Sequence, residues 1–125
     1  MARILIIDDS ALSRRLLRRI VESAGHQIIE AADGVAGLES YFLERPDLVL
    51  LDLTMPGMHG LDVLEKLREL DPTARVIVAS ADIQTFTRDL ALEHGAVSFI
   101  TKPFSAEPVL AAVQAALASA TGGAK

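Results

Sequence analysis

The sequence predicts an α/β fold: a parallel sheet with helices on both faces. Three observations carry that expectation. Five short runs rich in Ile, Val and Leu recur at residues 4–7, 27–31, 48–51, 76–79 and 97–101. Three of them are nearly continuous hydrophobics rather than alternating ones, as strands buried on both faces require. Between the runs lie segments whose apolar residues return at helical spacing, so that strand and helix alternate along the whole chain. Such alternation implies right-handed crossovers within one sheet.

Each helix has its own signals. Leu12, Leu16, Ile20 and Val21 share one face of a first helix over 11–24, with Arg14, Arg15, Arg18 and Arg19 mostly turned elsewhere and Gly25 as the C-terminal stop. Leu38 and Phe42 meet on the second helix, over 34–43, which ends at Glu44, Arg45 and Pro46. Leu61, Leu64, Leu67 and Leu70 keep step through the third, closed by Asp71 and Pro72. Phe86 and Leu90 anchor the fourth, which stops at His94 and Gly95. Val109, Leu110, Val113 and Leu117 line the fifth, with Ser105 as N-cap and Pro108 tolerated in its first turn. Residues 1–120 form one domain, and the last five, TGGAK, read as a short flexible tail.

Composition narrows the function classes. At 125 residues the chain suits one domain around one core. A formal net charge of −5 argues against direct nucleic-acid binding, which needs an excess of Lys and Arg. Four Phe, one Tyr and no Trp leave little for base stacking. The absence of Cys excludes disulfides and thiolate metal sites and suits a reducing, cytoplasmic setting. No apolar stretch approaches the ~18 residues of a membrane span, so membrane insertion is not expected. The apolar run at 4–7 is also too short for a secretory signal.

The chemistry gathers where the strands end. Strand one ends in Asp8-Asp9, strand three in Asp52, strand four in Ser80 and strand five in Thr101-Lys102-Pro103. In a parallel sheet these ends share one edge, the edge where open α/β folds bind ligands. Two anions ~4 Å apart repel by about 4 kcal/mol at an effective dielectric of ~20. A hard divalent cation held by oxygen ligands, Mg²⁺ above all, would offset that repulsion, with Lys102 adding a fixed positive charge. Taken singly, each residue has a plainer role: Asp after a strand is a common helix N-cap, and Lys-Pro is ordinary turn chemistry. Their joint occurrence on one edge favours a site.

These residues carry a resemblance that covers positions 3 to 119. Asp8-Asp9, LLDLTMPGMHG around Asp52, Ser80-Ala81 and FITKPF around Lys102 are similar to the motifs of CheY-like response-regulator receiver domains. The resemblance implies a flavodoxin-like (βα)5 three-layer sandwich with a five-stranded parallel sheet of order 2-1-3-4-5. It implies that Asp52 is the phosphoacceptor, charged by a histidine kinase or a histidine phosphotransfer protein. Asp9, Asp52 and the backbone carbonyl of Thr54 would ligate Mg²⁺, with Asp8 helping through a water, while Ser80 and Lys102 contact the phosphoryl oxygens. Thr54 and Asp82 would modulate the lifetime of the aspartyl phosphate. Phe99 stands where the family usually carries an aromatic rotamer switch working with Ser80. A plain core aromatic is an equal reading, and small Ala81 would leave room for an inward rotamer. His59 departs from the common acidic residue and is assigned no chemistry.

Two surfaces stand out besides. Arg14, Arg15, Arg18 and Arg19 form a basic stripe on the first helix; each alone reads as a solvated residue paired with neighbours such as Glu22, and together they could dock an acidic kinase or phosphotransfer partner. The outward positions of the fifth helix, Ala111, Ala112, Ala115 and Ala118, are small and uncharged. The face made by helix four, strand five and helix five is therefore expected to meet a downstream target or a second copy, with the helix propensity of Ala as the competing reason.

Three other classes are weighed against this. A haloacid-dehalogenase-like phosphatase needs a second Asp two residues after the first, where this chain has Thr54. A flavin module would not place Asp8-Asp9 at its phosphate loop. A scaffold-only receiver would be expected to lose Asp52 or Lys102. The chain reads either as a stand-alone regulator or as the receiver of a longer response regulator or hybrid kinase.

Overall fold

The computed structural model describes residues 2–53, 60–81 and 85–123, leaving aside the side chains of 85–87 and 119–123. Five strand–helix pairs follow one another: β1 (Arg3–Ile7), α1 (Ala11–Glu22), β2 (Gln27–Ala31), α2 (Gly34–Glu44), β3 (Leu48–Asp52), α3 (Gly60–Leu70), β4 (Val76–Ser80), α4 (Thr85–Glu93), β5 (Ser98–Thr101) and α5 (Ala106–Gly123). The strands form one parallel sheet of order β2-β1-β3-β4-β5, the flavodoxin-like order expected from the sequence. The order reverses between β1 and β3, so the carboxyl ends of those two strands flank the switch point.

The pleat explains why the central strands are apolar without alternation. Ile4 and Ile6 point to one face of the sheet with Leu48, Leu50, Ile77 and Ala79, against α1 and α5. Leu5 and Ile7 point to the other with Val49, Leu51, Val76 and Val78, against α2 and α3. Both faces are covered, so every residue of β3 and β4 is buried. Among the described residues no helix is long and apolar enough to cross a membrane.

Three local expectations need correction. The core-facing stripe of α1 is Leu17, Ile20 and Val21, whereas Leu12 is 73% and Leu16 38% exposed. Leu16 lies 100° round the helix from Leu17, so the apolar pair Leu12–Leu16 faces away from the core at the end of the helix nearest the strand ends. Leu70 likewise ends α3 in solvent. The fifth helix continues to Gly123, past the expected boundary at 120, because its Ala-rich run has the highest helix propensity available; residues 124 and 125 lie outside the described residues. A smaller difference concerns the end of α1. Ser23 is its C-cap, and Gly25 takes the left-handed conformation (φ 91°) two residues later.

Two packing details hold the framework. A Cβ on Gly60, the first residue of α3, would lie 2.4 Å from the Leu53 Cα and 2.6 Å from the Asp52 carbonyl oxygen, so only glycine lets α3 start against the end of β3. Buried Tyr41 on α2 donates its hydroxyl to Asp71 Oδ2 at 2.7 Å, and Asp71 Oδ1 accepts from the Thr73 N–H at 3.0 Å and the Thr73 hydroxyl at 2.6 Å. The Thr73 bonds first, then Tyr41, hold the Asp71 carboxyl below its ordinary value of 3.8, while burial, helped by Asp71, pushes the Tyr41 hydroxyl up.

A lowered carboxyl contributes stability above its unfolded pKa and loses it as pH falls through the folded one. Tyr41→Phe is therefore expected to cost about 1–2 kcal/mol in denaturant melts at pH 7. The deficit should shrink as the pH is taken below about 4. Equal deficits at neutral and strongly acid pH would mean that the Tyr41 bond does not depend on the Asp71 charge.

Candidate functional site

The carboxyl end of β1 turns directly into α1. Asp8 continues the ladder by donating its N–H to Ala31 O at 3.1 Å, and its Oδ1 accepts from Ser10 N–H at 2.9 Å. Ser10 is the N-cap of α1, its hydroxyl accepting from Ser13 N–H at 3.2 Å. The carboxylates themselves are thus spared the capping role that either Asp could have taken. Asp8 is buried and Asp9 exposed.

The other strand ends complete the cluster. Asp52 closes β3 and Ser80 closes β4; both are buried. Lys102 follows β5, and its backbone N–H donates to Ser80 O at 2.9 Å, which ties the β5 end to β4. The Lys102 ammonium then reaches across to Asp8 Oδ2 at 3.2 Å and Asp52 Oδ1 at 3.5 Å. With its side chain 20% exposed, most of its length lies along the protein, and the ammonium stands 5.9 Å from the Phe104 ring centroid.

Three carboxylates, from Asp8, Asp9 and Asp52, each bring an oxygen within 4.8 Å of the others. Against them, among the described residues, stands the Lys102 ammonium, which leaves a formal charge of −2 on these four groups, two of the carboxylates being buried. An all-oxygen donor set of that charge fits a hard divalent cation, Mg²⁺ in particular, which takes one or two carboxylates and keeps several waters. The donor set is therefore capable of holding the metal expected from the sequence.

The sequence-predicted residues fall as follows. Asp8, Asp9, Asp52 and Lys102 are brought together, with Ser80 at the adjoining strand end. Thr54, His59 and Asp82 lie outside the described residues. Phe99 is half-buried on β5 opposite Val78 and packs against the core on the α2–α3 face. Arg14 and Arg18 are engaged, both with Glu30 of β2 and Arg18 also with Glu22, while Arg15 is exposed. Ala111 and Ala115 are exposed on α5. Sequence reasoning missed two features. One is Glu30, whose pairing across elements has no local pattern. The other is an apolar cavity of about 380 Å³ beside Lys102, lined by Leu12, Leu16, Ala81, Pro103 and Phe104; the exposed leucines were read as core.

Comparison with known proteins places this arrangement. The model of the response regulator receiver domain matches residues 4–114. The chemotaxis protein CheY of Thermotoga maritima is 39% identical over 112 residues, which span 89% of this chain and 93% of that protein. A chain of the CheX–CheY–BeF3–Mg²⁺ complex from Borrelia burgdorferi superposes with a TM-score of 0.87 at 38% identity, covering 90% of this chain and 87% of that one. The crystal structure of NtrX from Brucella abortus gives a TM-score of 0.92 at 30% identity; the match covers 96% of this chain but 28% of that one. With its strand order, its aspartate cluster and these relatives, the chain belongs to the CheY-like response-regulator receiver domains, the non-catalytic phosphoacceptor modules of two-component signalling.

Proposed function

We propose that this domain takes a phosphoryl group onto Asp52 from the phosphohistidine of a histidine kinase or a histidine phosphotransfer protein, with Mg²⁺ as its cofactor, and relays that charge to a partner protein. The observation that carries the reading is the Lys102 ammonium set at 3.2 and 3.5 Å from two carboxylates of a three-carboxylate cluster. A carboxylate oxygen of Asp52 forms the new O–P bond as the P–N bond to the donor imidazole breaks. The imidazole keeps the electron pair and takes up a solvent proton. Phosphoryl transfer asks the protein mainly for alignment and for positive charge around the equatorial oxygens. Lys102, which follows β5, supplies a fixed ammonium, and Ser80, at the end of β4 beside β3, a hydroxyl hydrogen-bond donor. Asp9 and Asp52, with the Thr54 carbonyl and with Asp8 through a water, would hold Mg²⁺; when bound, the metal neutralises charge on the phosphoryl oxygens.

The phosphodonor reaches this edge over α1. The cavity between Leu12, Leu16, Pro103 and Phe104 borders Lys102 and suits an apolar helix face of the donor protein, and Arg15, three residues from Leu12, adds a charge on the same helix. On the far side, phosphorylation adds about −1.5 to −2 charges beside Ser80 and Lys102. Strand β5 links that point to a surface cavity of about 330 Å³ lined by Arg88, Phe99, Thr101, Pro108 and Ala112, with Ala111 and Ala115 exposed on the same helix. This α4–β5–α5 face is the proposed output surface, toward a target or a second copy, with Phe99 as its switch. A phosphatase of the haloacid-dehalogenase kind is disfavoured by Thr54, two residues after Asp52.

Incubation with acetyl phosphate and Mg²⁺, followed by intact mass, is expected to give a single phosphoryl adduct that Asp52→Asn abolishes and a chelator prevents. Amide exchange on the same sample should change along β5 and the start of α5. No adduct on wild-type protein from this donor or from a cognate kinase would refute the phosphoacceptor role, and unchanged exchange would remove the output face. Leu16→Glu should lower the transfer rate from a protein donor at least tenfold, the ~1.4 kcal/mol or more expected of an interface anchor, and leave the acetyl phosphate rate within about twofold. Equal losses with both donors would place Leu16 in the site's framework rather than in donor docking.

A further inference from the structure

Among the described residues, no hydrogen bond or ion pair of its own holds the carboxylate of Asp9, although the reading above makes it a metal ligand. Its position is set by the backbone, and one side chain grips that backbone at the Asp8–Asp9 peptide. Arg14 Nη1 donates to the Asp8 carbonyl oxygen at 2.7 Å while its Nε donates to Glu30 Oε1 at 3.0 Å. Glu30 lies on β2 opposite Ile6, two residues before Asp8, and its second oxygen accepts from Arg18 Nη1 at 2.6 Å. Arg18 is in turn tied to Glu22 at 3.0 Å. Arg18 first, with Arg14, holds the Glu30 carboxyl below its usual range, so the anchor stays charged.

We propose that Arg14, anchored by Glu30, is a positioning residue for the metal site: it fixes the Asp8–Asp9 peptide and thereby holds Asp9 beside Asp52. The inference rests on the reading of the acidic cluster as a Mg²⁺ site. A guanidinium suits the task because its planar fork donates to two acceptors in different directions, one on the β1 end and one on β2, where a single ammonium can serve only one well. The Arg14 side chain is 18% exposed, so the bond to the Asp8 carbonyl is largely shielded from water. Two of the four arginines expected from sequence to greet a partner have different work: Arg14 reaches the site's backbone, and among the described residues Arg18 reaches the carboxylates of Glu22 and Glu30.

The sign of the effect separates positioning from charge. Arg14 is a cation near a cation site, so by Coulomb's law alone its removal should tighten Mg²⁺ binding. Loss of positioning should weaken it, by about tenfold if Arg14 acts as supporting residues around metal ligands usually do. Calorimetric titration of the full chain with Mg²⁺ alone reads this directly, with thermal unfolding measured alongside. The expected result is weaker binding for Arg14→Ala, and binding unchanged or slightly tighter for Arg18→Ala, which removes the same charge and an ion pair to the same Glu30. Acetyl phosphate labelling of Arg14→Ala should recover as Mg²⁺ is raised to saturation. Arg14→Lys, the variant to use should Arg14→Ala fail to fold, keeps the charge and should still bind more weakly than wild type. Wild-type protein that takes up Mg²⁺ while both Arg14 variants bind it as well or better overturns the inference alone. Wild-type protein that takes up none overturns the metal reading and this inference with it.

Discussion

Lys102 stands between two buried carboxylates, Asp8 and Asp52, with a third, Asp9, at the rim. One cation cannot balance three anions, and the fold keeps the imbalance in place rather than relaxing it. The parallel sheet does so by geometry. Each carboxylate is carried within two residues of the end of a central strand that is buried on both faces, which limits how far its backbone can move apart from the others. Among the described residues the cluster therefore carries more negative than positive formal charge, which is what makes it capable of coordinating a metal ion.

The supporting residues fit the same constraint from outside. Ser10 takes over the capping of α1, which leaves both aspartates out of the helix start. Gly60 allows α3 to abut the Asp52–Leu53 backbone, so the strand end bearing Asp52 is braced by a helix within a few ångströms. Arg14 of α1, paired with Glu30 of β2, reaches the β1 end at the Asp8 carbonyl. Three elements thus brace two strand ends, and the rigidity lies in main-chain contacts rather than in the carboxylates themselves.

Much of this was legible in the sequence. Continuous apolar runs at β3 and β4 mark strands covered on both faces, and alternation with helical segments leaves few topologies open. Short motifs at strand ends then name the site, since parallel strands bring their ends to one edge whatever the loops between them. The strand order itself came from the resemblance, not from periodicity. Periodicity failed at α1, where Leu12 and Leu16 look like core in a helical pattern but overhang the sheet edge; hydrophobic spacing reports a face and cannot say how far the covering surface extends. Glu30 was invisible for another reason. An ion pair between residues 14 and 30 depends on β2 lying beside β1, a fact of tertiary placement that no local pattern encodes. At α5 propensity was readable in the Ala-rich run, while the helix runs on to Gly123, into residues expected as a flexible tail.

The central claim is that the carboxylate cluster is held under mutual repulsion which Mg²⁺ relieves. Denaturant unfolding of the wild-type protein with and without Mg²⁺, at constant ionic strength, tests it most directly. Stability should rise with the metal by about 2.7 kcal/mol at a hundredfold excess over its dissociation constant, and Asp9→Asn should remove most of that gain. Stability indifferent to Mg²⁺ at any concentration, or a gain of equal size in Asp9→Asn, would contradict the account.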